Sequence, residues 1–126
     1  MAVVVDASAI GAIMFNEPDA AELTAQLDGQ TLIAPDLLNF ELVNLALKKA
    51  RRQPQLRPQI TQALAAALRL AITRIAVPGI ELFQLASATG LTSYDASYLW
   101  LALSRDIELV TLDHALARAV VDRRPR

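Results

Sequence analysis

The chain has 126 residues, 54% of them hydrophobic, with 12 basic and 13 acidic side chains and a formal net charge of −1. That length fits a single domain over 1–126 with a sizeable core and leaves no room for two, and so apolar a composition excludes a disordered chain. No apolar run approaches the roughly 20 residues that cross a bilayer, and Met1–Asp6 lacks a basic start and meets an acid too early for a signal peptide, so a cytoplasmic protein is expected.

Val3–Val5 is a short β-branched run that reads as a buried strand. Ser8 is placed to cap a helix over Ala9–Phe15, and Pro18 to open a second helix that Gly29 ends. Thr31–Ala34 reads as a strand. Pro35-Asp36 then introduces a long helix over Leu37–Arg51, apolar nearly all round and expected to be largely buried. Two prolines in Gln53–Pro58 break it, and the alanine- and leucine-rich Ile60–Leu70 is helical. Ile72–Val77 is a strand, Ile80–Thr89 a helix stopped by Gly90, Tyr94–Ser104 a helix, Glu108–Thr111 a strand and His114–Val120 a last helix. Strands alternating with helices predict an α/β fold with a parallel sheet covered on both faces. Such sheets bind ligands beyond the carboxyl ends of their strands, where strand order reverses.

Two aspartates fall at such ends: Asp6 directly after Val5, and Asp113 one leucine after Thr111. Each also has a plainer role, as the N-cap of the helix that follows. Asp95 fits a capping box with Thr92 as cap, which would spend its carboxylate on a backbone amide. Glu41 lies inside a helix, where no cap is needed. With Asn44 and Lys48 at i+3 and i+7 it forms one polar stripe on an otherwise apolar element. A buried glutamate is costly unless it is paired or binds a metal.

Cysteine is absent and His114 is the only histidine, which excludes disulfides, thiolate zinc sites and any two-histidine pair within the chain. A metal here would be held by oxygen, which favours magnesium or manganese. Ser8 has no nucleophile elbow around it and is read as a helix cap, or as a hydroxyl that orients Asp6 or a water; His114 is read as a surface residue. Between Glu41 and Glu81 there is no acid, and the stretch carries Lys48, Lys49, Arg51 and Arg52 among its cations. A basic flank beside an acidic pocket suits a phosphate backbone, although a solvated loop would look the same.

Taken in order, Val3-Val4-Val5-Asp6-Ala7-Ser8, Phe40-Glu41-Leu42-Val43-Asn44, Tyr94-Asp95-Ala96 and Val110-Thr111-Leu112-Asp113 resemble the PIN domain, most closely the VapC-like toxins of prokaryotic toxin–antitoxin pairs. The resemblance implies a three-layer α/β/α sandwich around a short parallel sheet. It implies that Asp6, Glu41, Asp95 and Asp113 form an acidic cluster that holds Mg or Mn and cuts RNA by hydrolysis; Ser8, beside Asp6, and Asn44, on the Glu41 stripe, are the residues expected to support that cluster. It also implies an antitoxin that blocks the site. A homodimer is expected because the chain carries more apolar residues than a domain of this size readily hides. The alternative is an acidic-pocket α/β binding module without catalysis. A phosphoacceptor receiver of that kind would show paired acids after the first strand, where Asp6 stands alone, and a lysine after Glu108, where none follows.

Overall fold

The computed structural model describes residues 1–124. Four strands form one sheet: β1 (Ala2–Val5), β2 (Thr31–Pro35), β3 (Ile72–Ile75) and β4 (Glu108–Val110). Their order is β3-β2-β1-β4 and every pairing is parallel, with Val3 opposite Leu32 on one side and Glu108 on the other. Among the described residues seven α-helices surround it: α1 (Ala7–Met14), α2 (Ala20–Leu27), α3 (Leu38–Arg52), α4 (Arg57–Leu68), α5 (Gly79–Thr89), α6 (Ser93–Arg105) and α7 (His114–Arg123).

Val3, Val4 and Val5 are all buried. Successive strand side chains point to opposite faces, so both faces of β1 are covered, which makes the sheet the middle layer of the expected sandwich. On one side α6 packs across β1, β2 and β4, flanked by α5 and α7; α1, α3 and α4 pack on one another. The central helix α6 is the most deeply set, with Ala96, Tyr98, Leu99, Leu101 and Ala102 at 1% exposure or less. No helix among the described residues is long and apolar enough to cross a membrane.

Several sequence expectations are corrected. Helix α1 begins at Ala7 and its N-cap is Asp6, not Ser8. Asp6 leaves the strand in extended geometry with its carboxylate already turned back onto the first helical turn, so Ser8 falls inside the helix. Pro18 precedes α2 in a turn rather than opening it. The prolines after α3 do not break the chain for long. Pro54 opens a 3-10 turn (Pro54–Leu56), and Pro58 sits in the first turn of α4, where its missing N–H has no helical partner to lose. Helix α3 is not buried all round: Leu38, Leu42 and Ala46 are inside, while Phe40 is 76% exposed and Val43 and Leu47 also face out. Helix α5 buries no residue fully and exposes Ile80 and Phe83.

In this sheet β2 and β3 lie to one side of β1 and β4 to the other. Strand order therefore reverses at β1, and the crevice rule points to the carboxyl ends of β1 and β4.

Candidate active site

Asp6 is the hub of that crevice. It is 5% exposed, and its two oxygens accept bonds from three directions. The Ala9 amide (3.0 Å) and the Ser8 hydroxyl (2.7 Å) donate to Oδ1, and the Thr111 hydroxyl donates to Oδ2 (2.5 Å). Ser8 Oγ in turn accepts from the Leu112 amide at 2.9 Å, and Thr111 Oγ1 accepts from the Asp113 amide at 2.9 Å. Two hydroxyls thus stitch the end of β1 to the loop after β4, and fix where both aspartates stand. Burial pushes the Asp6 carboxyl above its ordinary value; the three hydrogen bonds oppose that, and the nearby Asp113 charge adds to it.

Asp113 caps α7 by accepting from the Leu116 amide at 3.1 Å. Cap and site coexist here, because the cap uses Oδ1 alone. Asp95 differs from the capping-box expectation. Thr92 does cap α6, accepting from the Asp95 amide at 3.2 Å. Among the described residues, however, no backbone amide donates to the Asp95 carboxylate, which is left to face the crevice. Its carboxyl is pushed up by partial burial and by the charges of Asp113 and Asp6.

Glu41 comes from α3, and its neighbourhood explains how a helix-borne acid reaches the strand ends. Gly11 of α1 lies against Leu45 of α3, so closely that a Cβ there would meet Leu45 Cδ1 at 2.7 Å. That approach brings the α3 polar stripe alongside Asp6. The buried Tyr98 hydroxyl donates to Glu41 Oε1 at 2.5 Å. Burial raises the Glu41 carboxyl, the Tyr98 bond lowers it, and Asp95 and Asp6 raise it further. The Tyr98 phenol is held far above its usual range by burial and by Glu41.

All four acids line one hollow of about 270 Å³, together with Ser8, Asn44, Lys48 and Tyr98. The ion pairs among the described residues, Arg118–Asp122 and Arg124–Asp106, involve none of them. The acids do not close on one point as a ready-made cage among the described residues. They surround a space whose negative charge only Lys48 offsets. Such a donor set fits a hard divalent cation that keeps part of its water shell, as magnesium does, with carboxylates bound directly or through water.

The polar stripe on α3 is as the spacing predicts: Glu41, Asn44 and Lys48 all face the hollow. Of the other cations singled out in the sequence, Lys49 and Arg52 line an adjoining hollow and Arg51 lines neither; His114 is exposed, as expected of a surface residue. Sequence reasoning missed Thr111 and Tyr98. Thr111 carries the signal of a hydroxyl two residues before Asp113. Tyr98 lies at i+3 from Asp95, hence on the same helix face.

The model of the PIN domain family matches residues 3–121. VapC ribonuclease Mb0985 of Mycobacterium bovis and ribonuclease VapC9 of Mycobacterium tuberculosis are each 34% identical over 115 residues, 91% of this chain and 88% of theirs. The crystal structure of PAE2754 from Pyrobaculum aerophilum is similar at a TM-score of 0.77 and 27% identity, covering 94% of this chain and 84% of that one.

Proposed function

The chain belongs to the PIN-domain family, and from that premise we propose that it is a metal-dependent endoribonuclease, the toxin of a toxin–antitoxin pair. The observation that carries this most directly is the convergence of four carboxylates, from β1, α3, α6 and the loop after β4, on one hollow at the point where strand order reverses. A purely structural set of caps has no reason to gather unneutralised charge in one place.

Asp6, Asp95, Asp113 and Glu41 would hold Mg or Mn. When bound, such an ion supplies Lewis-acid polarisation of the phosphoryl oxygen and lowers the pKa of a water. The chain's own residues do the rest. The Ser8 and Thr111 hydroxyls and the Ala9 amide lock Asp6 into one rotamer, so no reorganisation is left for the moment of reaction. Glu41, braced by Tyr98, is set to orient an attacking water and take its proton. Asn44 offers an amide on the same stripe that can fix a water or a phosphate oxygen. Lys48 faces the acids and can neutralise a phosphate as it enters. The cations of α3, Lys48, Lys49, Arg51 and Arg52, give an RNA strand a basic approach.

The exposed apolar faces of α3 (Phe40, Val43, Leu47) and α5 (Ile80, Phe83) support a homodimer and an antitoxin that covers the site. We take the reaction to be cytoplasmic, where RNA is the substrate.

Single-stranded RNA incubated with the protein in magnesium or manganese should be cut internally, and chelator should stop the reaction. Full activity in chelator would refute the carboxylate–metal mechanism. RNA left intact with either metal would refute the nuclease.

A further inference from the structure

A second hollow, of about 260 Å³, abuts the acidic one; Ser8, Leu45 and Lys48 line both. Its chemistry is opposite. Three cations, Lys48, Lys49 and Arg52, face a single acid, Glu17. Apart from Ser8 its remaining walls are apolar: Gly11 and Ala12 along α1, Phe15 at the end of that helix, Leu45 of α3 and Leu112 ahead of α7. The Lys49 ammonium sits 4.8 Å from the centre of the Phe15 ring, so the aromatic ring holds one of the cations in place. No ion pair with Lys48, Lys49 or Arg52 occurs among the described residues.

We infer that this hollow is a nucleotide subsite, which receives the second RNA residue from the scissile phosphate on one side of the cut. The inference rests on the nuclease reading above and goes beyond it by assigning a place to a nucleotide outside the cut pair. A nucleotide is an anion joined to a flat apolar ring. It needs cations and an apolar wall within one residue's length, as single-strand binding sites provide. The acidic hollow supplies the first through Lys48 alone, and its four carboxylates repel every phosphate except one bridged by a cation. The second hollow supplies both, and Lys48 stands between them, where the connecting backbone must pass. A phosphate that draws Lys49 off the Phe15 ring and takes it up beside Arg52 leaves the sugar and base to lie against Phe15, Leu45 and Leu112. An aromatic face accepts any base, so the subsite adds affinity and direction without reading sequence.

The test measures binding and cleavage of single-stranded oligoribonucleotides from two to six residues, lengthened separately at the 5′ and 3′ ends. Binding is followed by anisotropy on the Asp6→Asn variant in magnesium, cleavage on the otherwise wild-type chain. Phe15→Leu and Arg52→Gln are compared with the parent in both backgrounds. Arg52 is exposed and Phe15 half-buried, so far-UV circular dichroism checks the fold of each variant. In the parent, one added nucleotide at one particular end should tighten binding. Each variant should remove about five- to tenfold of that gain by losing one stack or one phosphate contact. In cleavage the loss should appear in KM rather than kcat, and Phe15→Leu should leave dinucleotide binding unchanged. If the parent cuts RNA and both variants match it at every length, the subsite is overturned and the nuclease stands. Loss of partner binding by the same variants would then assign the hollow to a protein partner instead. If the parent cuts nothing while the length-dependent binding contrast persists, the subsite stands and the nuclease falls.

Discussion

Asp95→Asn separates a working acidic cluster from a set of helix caps. The Asp95 carboxyl is raised by partial burial and by the charges of Asp113 and Asp6. The folded chain therefore holds that proton more tightly than the unfolded one. The sign follows: the group costs nothing below its unfolded value, stability is lost as pH rises through the carboxylate range, and neutral buffer carries the cost. The substitution removes the charge and spares the cap, because Thr92 bonds the backbone amide of residue 95 and not its side chain. Asp95 is partly open to water, which screens the repulsion, so the relief is on the order of 1 kcal/mol at most. In a domain of this size that is a rise in Tm of about 3 °C with chelator present. With manganese the order should reverse. A cation at 100 times its Kd adds roughly 2.7 kcal/mol to the wild type, and less to a variant missing one ligand. Thermal melts of both proteins, each with chelator and with manganese, give four numbers. A wild-type melting point indifferent to manganese, with the variant melting lower in chelator, would refute the cluster as a metal site and return Asp95 to the architecture of α6.

Asp6→Asn should cut RNA at least roughly 100-fold more slowly yet fold normally, since an amide can still accept from Ala9 and Ser8; wild-type turnover would reduce Asp6 to a cap. Tyr98→Phe removes a bond that lowers the Glu41 carboxyl, so the acid limb of the kcat/KM profile should move to higher pH, and an unmoved limb would take Glu41 out of the titrating machinery. Gly11→Ala gains about 1 kcal/mol of helix propensity but forces a Cβ to 2.7 Å from Leu45 Cδ1. Overpacking of that kind costs about 1–3 kcal/mol, so Tm should fall; a rise would show that Leu45 gives way freely. Light scattering should find a dimer at micromolar concentration, and a monomer at every concentration would leave the exposed α3 and α5 faces to another partner.

The sequence alone determined the alternation of strand and helix and the three acids that stand at element ends, because these depend on local properties. A β-branched run such as Val3–Val5 makes a strand wherever it lies, and an aspartate after it falls at that strand's carboxyl end. The Glu41–Asn44–Lys48 stripe was equally legible, since helical periodicity fixes a shared face. The tertiary structure decided what each carboxylate is free to do. Thr92 accepts from the Asp95 amide in either role, and only the packing of α6 against β1 and β4 turns the Asp95 carboxylate toward Asp6 and Asp113. Ser8 reads as a cap from its neighbours, but its hydroxyl is committed to Asp6 and to the Leu112 amide, 104 residues away. The braces from Thr111 and Tyr98 join residues 105 and 57 positions apart, a pairing that no local pattern encodes. Helix α3 shows the same limit in its apolar residues: periodicity cannot say how many sides of a helix will find neighbours. Here Leu38, Leu42 and Ala46 are buried and Leu45 packs against α1, while Phe40 is left in water.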